Sequence, residues 1–324
     1  MLNYEEFKQR VLDEFLDYMP EEYKNCELQV REVPKVNQTL TGVVLVPKDK
    51  PKAYVSPTFY MERMYDQYLE CGSFEETMEN QAGYLEESMK VLPKDAMTLD
   101  WDSIKTKIIF QVVNTEKNQS MIDNCPHRDI MDLSVVYRAI ISTDEHGVSG
   151  FLITNDIARA ENFTEEELYN LAKENTRNVF PPTVERIEAT MMRMMKRWGA
   201  PEEEIESMFP GLDEVPPQDR CFVISNAHEF FGANNLLYTD VLDKAAEEIG
   251  TPIYVLPSSV HDLVVVSSES FASKEKLSAL VSETNRDHVK ESEVLSNSVY
   301  AYNPLTKELN PVDVEVELDN GIDV

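Results

Sequence analysis

The sequence predicts an α+β protein, with an N-terminal unit of helix and β-hairpin packed on a mixed, mainly antiparallel sheet that has helices on one side. Several apolar stripes at helical spacing begin behind residues that cap helices. Other segments are short apolar runs of strand length bounded by turn residues. The chain has 324 residues, 42% of them hydrophobic, so it can bury a sizeable core.

The N-terminal segment predicts a helix over 4–18, followed by a β-hairpin over 26–48. Asn3 and Glu6 form a capping box ahead of apolar residues at helical spacing, and Pro20 stops the helix. After a short segment around 53–55, a second helix ends at Gly72, and Ser73 with Glu76 forms another capping box that begins a third helix.

The middle of the chain predicts three antiparallel strands and then two helices. The strands are 108–114, 131–142 and the segment after a turn at 144–147. Thr164 and Glu167 form a capping box for the first helix, and the segment from Thr183 is predicted to be helical as far as Gly199. The second helix carries Met191, Met192, Met194 and Met195, which we interpret as core residues, an adaptable binding face being the alternative.

The last part predicts strand, helix, two strands joined by a tight turn, helix and strand over 221–302, with Thr239 as an N-cap and Gly250 ending a helix. These patterns divide the chain into an N-terminal unit (1–98), central strands and helices (99–200), an acidic, proline-containing connector (201–219), a C-terminal α+β unit (220–312) and an acidic tail (313–324).

Charge is the most unusual bulk property, since 60 acidic residues against 30 basic ones give a net charge of −30. Residues 201–324 alone carry −18. Direct binding to nucleic acid or to an anionic membrane through a basic surface is therefore not expected. Two interpretations stay open: the acidic residues keep the protein dispersed in solution, or they bind a basic protein surface. The candidate partner-binding residues are Glu202, Glu203, Glu204, Glu247 and Glu248.

The cysteines and the start of the chain predict a cytoplasmic protein. Cys26, Cys71, Cys125 and Cys221 are far apart and form no CxxC pair, so we expect four separate, reduced thiols. The first residues are rich in glutamate, unlike a signal peptide, and the chain has no apolar run long enough to span a membrane.

The segment PSSVHD, at 257–262, offers the best candidate for catalysis. Ser258, Ser259, His261 and Asp262 gather a nucleophile, a base and a carboxylate between two apolar strands. However, neighbours in a strand point to opposite faces, and proline with two serines also makes a turn whose hydroxyls bond the backbone. We favour the turn, and expect His261 to lack a serine partner.

Other motifs argue against cofactors and metals. His127 follows Cys125 by two residues and begins an HRD segment that resembles a kinase catalytic loop, but the rest of the kinase pattern is missing. Neither GxGxxG nor GxxxxGK[ST] occurs among the ten glycines, and no HExxH is present. His228 and Glu229 are adjacent, but acidic residues are too plentiful for that to indicate a metal. We expect no bound cofactor and no metal site.

Several phrases in order resemble the DUF5688 family, a bacterial domain of unknown function found mostly in gut Firmicutes. They include YEEFKQRVLDEFLDYMP, SPTFYMERMYDQYLECGSFEETM, PHRDIMDLSVVYRAII, FLITND, GANNLLYTDVLDKAAEEIG and IYVLPSSVHDLVVV. The resemblance covers nearly the whole chain and implies a cytosolic bacterial protein. It implies no activity, substrate or catalytic residue.

Because no complete catalytic set assembles, the sequence favours a non-enzymatic protein-interaction module. One alternative is a hydrolase-like enzyme centred on PSSVHD, helped by His127 or His228. The other is an acidic mimic of DNA that occupies a DNA-binding protein. If the excess acidic residues only keep the protein soluble, their carboxylates should lie scattered on different elements.

Overall fold

The computed structural model describes residues 1–48, 57–91, 100–144, 147–211, 214–269 and 274–312. The chain divides into two compact units, Met1–Trp101 and Asp102–Val324. The first unit contains α1 (Tyr4–Tyr18), β1 (Cys26–Lys35), β2 (Gln38–Pro47), β3 (Thr58–Tyr60), α2 (Met61–Cys71) and α3 (Phe74–Val91).

Local sequence explains the elements of the first unit. The Asn3 side chain accepts from the backbone N–H of Glu6, whose carboxylate accepts from Asn3 in return, so the predicted capping box is confirmed. Asn37 adopts the left-handed conformation in the two-residue turn of the β1–β2 hairpin, and Gly72 does so at the end of α2.

The sheet of the first unit has the order β1-β2-β3. Its helices close one core with it, in which Phe7 stacks on Tyr68 at 5.1 Å between ring centroids and Phe15 contacts Phe59 at 4.7 Å. The fully buried valine and leucine of β2, Val43 and Leu45, belong to the same core.

The second unit contains two sheets. One has the order β4-β6-β5, with β7 paired to β6, and the other has the order β13-β12-β10-β11-β9-β8, with antiparallel pairing throughout. The elements from Trp101 onward are α4 (Trp101–Lys105), β4 (Ile108–Asn114), α5 (Gln119–Ile122), β5 (His127–Ile130), β6 (Leu133–Asp144), β7 (Gly147–Leu152), α6 (Asn155–Ala160), α7 (Glu165–Val179), β8 (Pro182–Arg186), α8 (Ile187–Arg197), α9 (Glu202–Met208), β9 (Phe222–Asn226), α10 (Thr239–Ile249), β10 (Ile253–Leu256), β11 (Leu263–Ser267), α11 (Lys274–Asp287), β12 (Tyr300–Asn303) and β13 (Glu308–Pro311).

The α+β class, the antiparallel character and the β10–β11 hairpin predicted for 221–302 are confirmed. One detail differs from the prediction of a sheet with helices on one side: α10 and α11 lie on opposite faces of the six-stranded sheet. Leu277 of α11 packs with Val266, whereas Tyr302 of β12 reaches Asp243 of α10. Tyr302 is opposite Ile253, and Val266 is opposite Tyr254, so the two contacts are on alternate sides of the strands.

The outer edge of β4 is closed by side chains. The buried Asn234 amide accepts from Val112 N–H at 2.9 Å and donates to Phe110 C=O at 2.7 Å, as a neighbouring strand would. Thr176 Oγ1 accepts from Phe110 N–H at 3.1 Å, and Asn175 donates to Ile108 C=O at 3.0 Å. Asn175 and Thr176 are on α7 and Asn234 is in the 3-10 helix Gly232–Leu237, so these two helices supply this edge with partners.

A carboxylate connects the two sheets of the second unit. Asp132 lies in the turn between β5 and β6 and accepts from Ser296 Oγ at 2.6 Å, Ser298 Oγ at 3.3 Å and the Tyr300 hydroxyl. Burial, with the hydrogen bond to Asp132, raises the pKa of Tyr300 above its ordinary range, so the phenol remains a donor.

Some predicted elements were wrong in type or extent. The segment from Thr183 was predicted to be helical, but Pro182–Arg186 is β8, whose conformation depends on pairing with the distant β9. Part of the predicted connector forms α9, and the N-cap of α10 is Tyr238 instead of Thr239. The strands β5 and β13 were not predicted. The segment at 53–55, the centre of the turn at 144–147 and the acidic tail lie outside the described residues.

Candidate functional site

The PSSVHD segment forms a connection that pairs with a distant part of the chain. Val260 N–H donates to Glu293 C=O at 2.9 Å, and Leu295 N–H donates to Ser258 C=O at 2.9 Å. Ser259 thereby forms an isolated bridge with Val294. The segment is an ordered part of the fold, held by backbone hydrogen bonds on both sides of Ser259.

The serines and the histidine of this segment do not form a nucleophile–base pair. Ser259 Oγ accepts from the backbone N–H of His261 at 3.0 Å, as the turn interpretation predicts. Within the described structure, the buried Nδ1 of His261 has no hydrogen-bond partner. Burial raises the pKa of Asp262, which therefore tends toward its neutral form. A triad would need the imidazole bonded to a serine hydroxyl.

The other candidate histidines have separate contacts. His127 Nδ1 lies 3.0 Å from Cys125 C=O, and the His228 ring stands edge-on to Phe180 at 5.8 Å. Burial raises the pKa of the Cys125 thiol to about 12, so this cysteine is a poor nucleophile. In the part of the chain that the structure describes, no group of three or more His, Cys, Asp or Glu residues could hold a metal ion.

All four cysteines are free, as predicted. The arginine of the HRD segment also has a structural partner. Arg128 binds Glu165 through two hydrogen bonds of 3.1 and 2.8 Å, its guanidinium lies 3.9 Å from the Tyr169 ring centroid, and the Tyr137 hydroxyl donates to Glu165 as well. These contacts fix the start of α7 on the sheet that contains β5 and β6.

A strained loop follows β9 and contacts α8. Glu229 and Phe231 both adopt the left-handed conformation, with φ of 59° and 55°, which is unfavourable for a bulky side chain. Glu229 accepts from Arg197 at 2.7 Å and from Arg193 at 3.3 Å, and Arg193 also binds Glu185. The hydrogen bond from Arg197 lowers the pKa of Glu229, so the carboxylate remains charged and holds the loop to the helix.

The helix α8 presents an apolar surface to solvent. Met191 is 44% exposed, Met194 is 39% exposed and Trp198, just after the helix, is 75% exposed. Their spacing of three and four residues places them on one face, and we name them the α8 stripe. The interpretation of the methionines as core residues is wrong for Met191 and Met194, because both are exposed, whereas Met192 and Met195 are half-buried. Periodicity reveals an apolar face but does not reveal what covers it.

The candidate acidic residues lie on different elements. Glu202, Glu203 and Glu204 form the first turn of α9, whereas Glu247 and Glu248 are exposed residues of α10. Lys196 of α8 pairs with Glu202 at 2.9 Å, which places the acidic turn of α9 beside the end of α8. The sequence candidates did not include Trp198 or the basic residues of α8, although Arg193 lies among the methionines and Lys196 and Arg197 directly follow them.

An open groove of about 310 Å³ lies between α7 and the start of α10. Lys173 and Arg177 contribute positive charge to it, but Arg177 is bound by Asp240 through two hydrogen bonds of 3.0 and 2.7 Å. The carboxylate of Asp240 thus neutralises Arg177, and Glu174 adds a second carboxylate to the lining, so the groove has no excess of positive charge.

The model of the family of unknown function DUF5688 matches residues 4–304. The chain belongs to the DUF5688 family. No curated protein and no solved structure matches it. Among the described residues of this DUF5688 member, no helix is long and apolar enough to cross a membrane.

Proposed function

We propose that this DUF5688 protein is a non-enzymatic protein-interaction module that binds its partner through the α8 stripe. The observation that carries the proposal is the exposure of Met191 and Met194 on α8 and of Trp198 just after it, on a helix none of whose side chains is fully buried. Exposed apolar surface of this kind is typical of a protein-binding site when several large residues lie together.

The chemistry of the stripe suits recognition of a protein segment. Methionine is flexible and polarisable and adapts to irregular apolar surfaces, and tryptophan is enriched among residues that dominate binding energy. The helix that presents them is held in place, because Arg193 binds Glu185 and Glu229 while Arg197 binds Glu229. A preordered surface loses less conformational freedom on binding.

The charges around the stripe favour a partner segment with apolar anchors and a basic flank. The cations of α8 are already paired with carboxylates of this chain, as in the Lys196–Glu202 pair. In contrast, Glu203 and Glu204 are exposed, with no ion pair among the described residues. An uncompensated acidic turn beside an apolar stripe attracts basic side chains and repels acidic ones.

The two alternatives have less support. A hydrolase centred on PSSVHD needs a serine bonded to the imidazole of His261, but Ser259 Oγ accepts from the backbone instead. A DNA mimic needs carboxylates aligned along one elongated face, whereas the candidate glutamates are divided between α9 and α10.

The proposal is tested by fluorescence in a Trp101→Phe background, in which Trp198 is the only tryptophan. The probes are a basic amphipathic helical peptide and an acidic peptide with the same apolar residues. We expect the basic peptide to shift the Trp198 emission to the blue with saturation, since the indole loses water contact, and the acidic peptide to bind at least about tenfold more weakly.

The paired variant Met191→Ser/Met194→Ser should weaken binding of the basic peptide at least about tenfold without changing the thermal transition, because both side chains are exposed. Leu305→Ser is the matched control, since Leu305 is 91% exposed and lies in the turn between β12 and β13. Equal loss in the control, or no binding of the basic peptide, would refute the proposal.

A further inference from the structure

The outer edge of β1 carries backbone groups that no strand satisfies among the residues that the structure describes. Lys48 N–H donates to Asn25 C=O at 3.1 Å, so in the register of this hairpin the odd-numbered residues of β1 exchange hydrogen bonds with β2. The N–H and C=O groups of Leu28, Val30 and Glu32 therefore point away from β2. In the part of the chain that the structure describes, β1 pairs with no other strand.

This edge is long and open to solvent. The strand β1 has ten residues, with its proline, Pro34, next to the last of them, and is the longest edge strand among the described ones, whereas β8 and β13 are short. Val30 is 45% exposed, and Arg31 and Glu32 are also exposed. A long, open edge is a template for another strand.

The side chains of β1 form an ordered row with opposite charges at its ends. Gln29 Nε2 donates to Glu27 Oε1 at 2.8 Å, and Arg31 Nη2 donates to Gln29 Oε1 at 2.8 Å. The three residues alternate along the strand and therefore share one face of the sheet. The row consists of an acid, Glu27, an amide, Gln29, and a base, Arg31. When a second copy of the row runs antiparallel to the first, each acid lies opposite a base.

We propose that β1 pairs antiparallel with β1 of a second copy of this chain, about a two-fold axis at Gln29. Glu27 then lies opposite Arg31 of the partner subunit, and Leu28 lies opposite Val30 of the partner subunit. Leu28 and Val30 both direct their backbone groups outward, so each such pair exchanges two hydrogen bonds. The two-fold axis repeats both the charge pair and the apolar pair.

Neighbouring registers are less favourable. An axis at Val30 places Glu32 opposite Leu28 of the partner subunit and leaves Glu27 without its basic counterpart. An axis at Arg31 brings two arginines directly opposite each other, which is destabilising. The complementary charges select the Gln29 register, and they also favour a second copy over an unrelated strand that lacks this order of residues.

Charge reversal tests the pairing through sedimentation velocity across a range of concentrations. We expect the wild-type chain to form a dimer reversibly. Glu27→Lys and Arg31→Glu should each weaken dimerisation at least tenfold, because each creates two like-charge pairs per dimer. The double variant Glu27→Lys/Arg31→Glu should recover it, and Glu70→Lys, a reversal at an exposed position of α2, should leave it unchanged.

Cross-linking tests the register independently. In a Cys71→Ser background, Gln29→Cys should form a disulfide-linked dimer, because two residues at a non-hydrogen-bonded antiparallel pair have Cα atoms about 4.5 Å apart. Arg31→Cys is the control, since its two copies are displaced by four residues along the strands. A monomer at all concentrations, a double variant that fails to recover, or equal cross-linking at both positions would overturn the proposal. Dimerisation that survives Met191→Ser/Met194→Ser separates it from the α8 stripe.

Discussion

Two edge strands of this protein, β4 and β1, present the same kind of backbone groups in different surroundings. At β4, the outward groups of Phe110 and Val112 are bonded by Thr176 and Asn234. At β1, the outward backbone groups of Val30 and its neighbours pair with no strand within the described structure, and the Val30 side chain is 45% exposed. An edge in a core needs partners for every polar group, whereas an edge at the surface can use water.

The largest expected effect is at Asn234. Asn234→Leu removes both amide hydrogen bonds and leaves Val112 N–H and Phe110 C=O buried without partners, so the free energy of unfolding should fall by about 3–5 kcal/mol. Urea denaturation measures the change. Asn170→Ala, an exposed asparagine of α7, is the control and should stay within about 0.5 kcal/mol of the wild type. A small effect at Asn234 would mean that water can replace the amide.

A smaller effect is expected where α7 is anchored. Glu165→Gln weakens the bonds from Arg128 and Tyr137, and should lower the free energy of unfolding by about 2 kcal/mol at pH 7. Glu174→Gln, at an exposed position of the same helix, is the control.

This anchor also predicts a pH dependence. Burial acts to raise the pKa of Glu165, but hydrogen bonds from Arg128 and Tyr137 outweigh it, so the pKa lies below its ordinary value of 4.5. The stabilisation is fully present above that value and is lost as the pH falls through the lowered pKa of the folded state. The difference between wild type and Glu165→Gln should therefore shrink in acid, and a constant difference would contradict the assignment.

Replacing Thr176 should lower the free energy of unfolding less than replacing Asn234. Thr176 makes one hydrogen bond to the outer edge of β4, whereas Asn234 makes two. Thr176→Val leaves Phe110 N–H buried without its acceptor and should cost about 1–2 kcal/mol in the free energy of unfolding. Thr176→Ser retains the hydroxyl and should recover most of this stability. If Ser and Val cost the same, the methyl group and not the hydroxyl would be the important part.

The smallest effect is expected at the open edge. Val30→Thr should change the free energy of unfolding by less than about 0.5 kcal/mol, because the side chain is exposed. The matched substitution Val112→Thr, at an outward position of β4, places a hydroxyl in a site that is 2% exposed and should cost about 1–3 kcal/mol. Equal costs would remove the distinction between the two edges.

Local patterns predicted the elements whose determinants are close in sequence. The capping box at Thr164 and the left-handed glycine at 250 are examples, because each depends on residues within one helical turn. The strand β8 was missed because its pairing partner, β9, begins 39 residues after Thr183 and Thr183 lies opposite Ser225 only after folding. The acceptor role of Ser259 was foreseen, since an ST turn is local.

The exposed apolar face of α8 was harder to predict than the turn. Met191 and Met194 have the spacing of a buried face, and only the solvent exposure of α8 reverses that interpretation. The role of Asn234 was not predictable either, because nothing near it in sequence indicates that β4 supplies its partners. Both cases depend on what packs against an element, which periodicity does not encode.

The closure of β4 by Asn234 has a consequence for protein synthesis. Phe110 precedes Asn234 by 124 residues, so the apolar strand leaves the ribosome long before the amide that completes its edge. At roughly 5–20 residues per second, the delay is about 6–25 s. During that interval the outer edge of the strand IIFQVV lacks the amide that completes it, and an apolar strand with an open edge is the kind of segment that chaperones bind and that associates with other nascent chains.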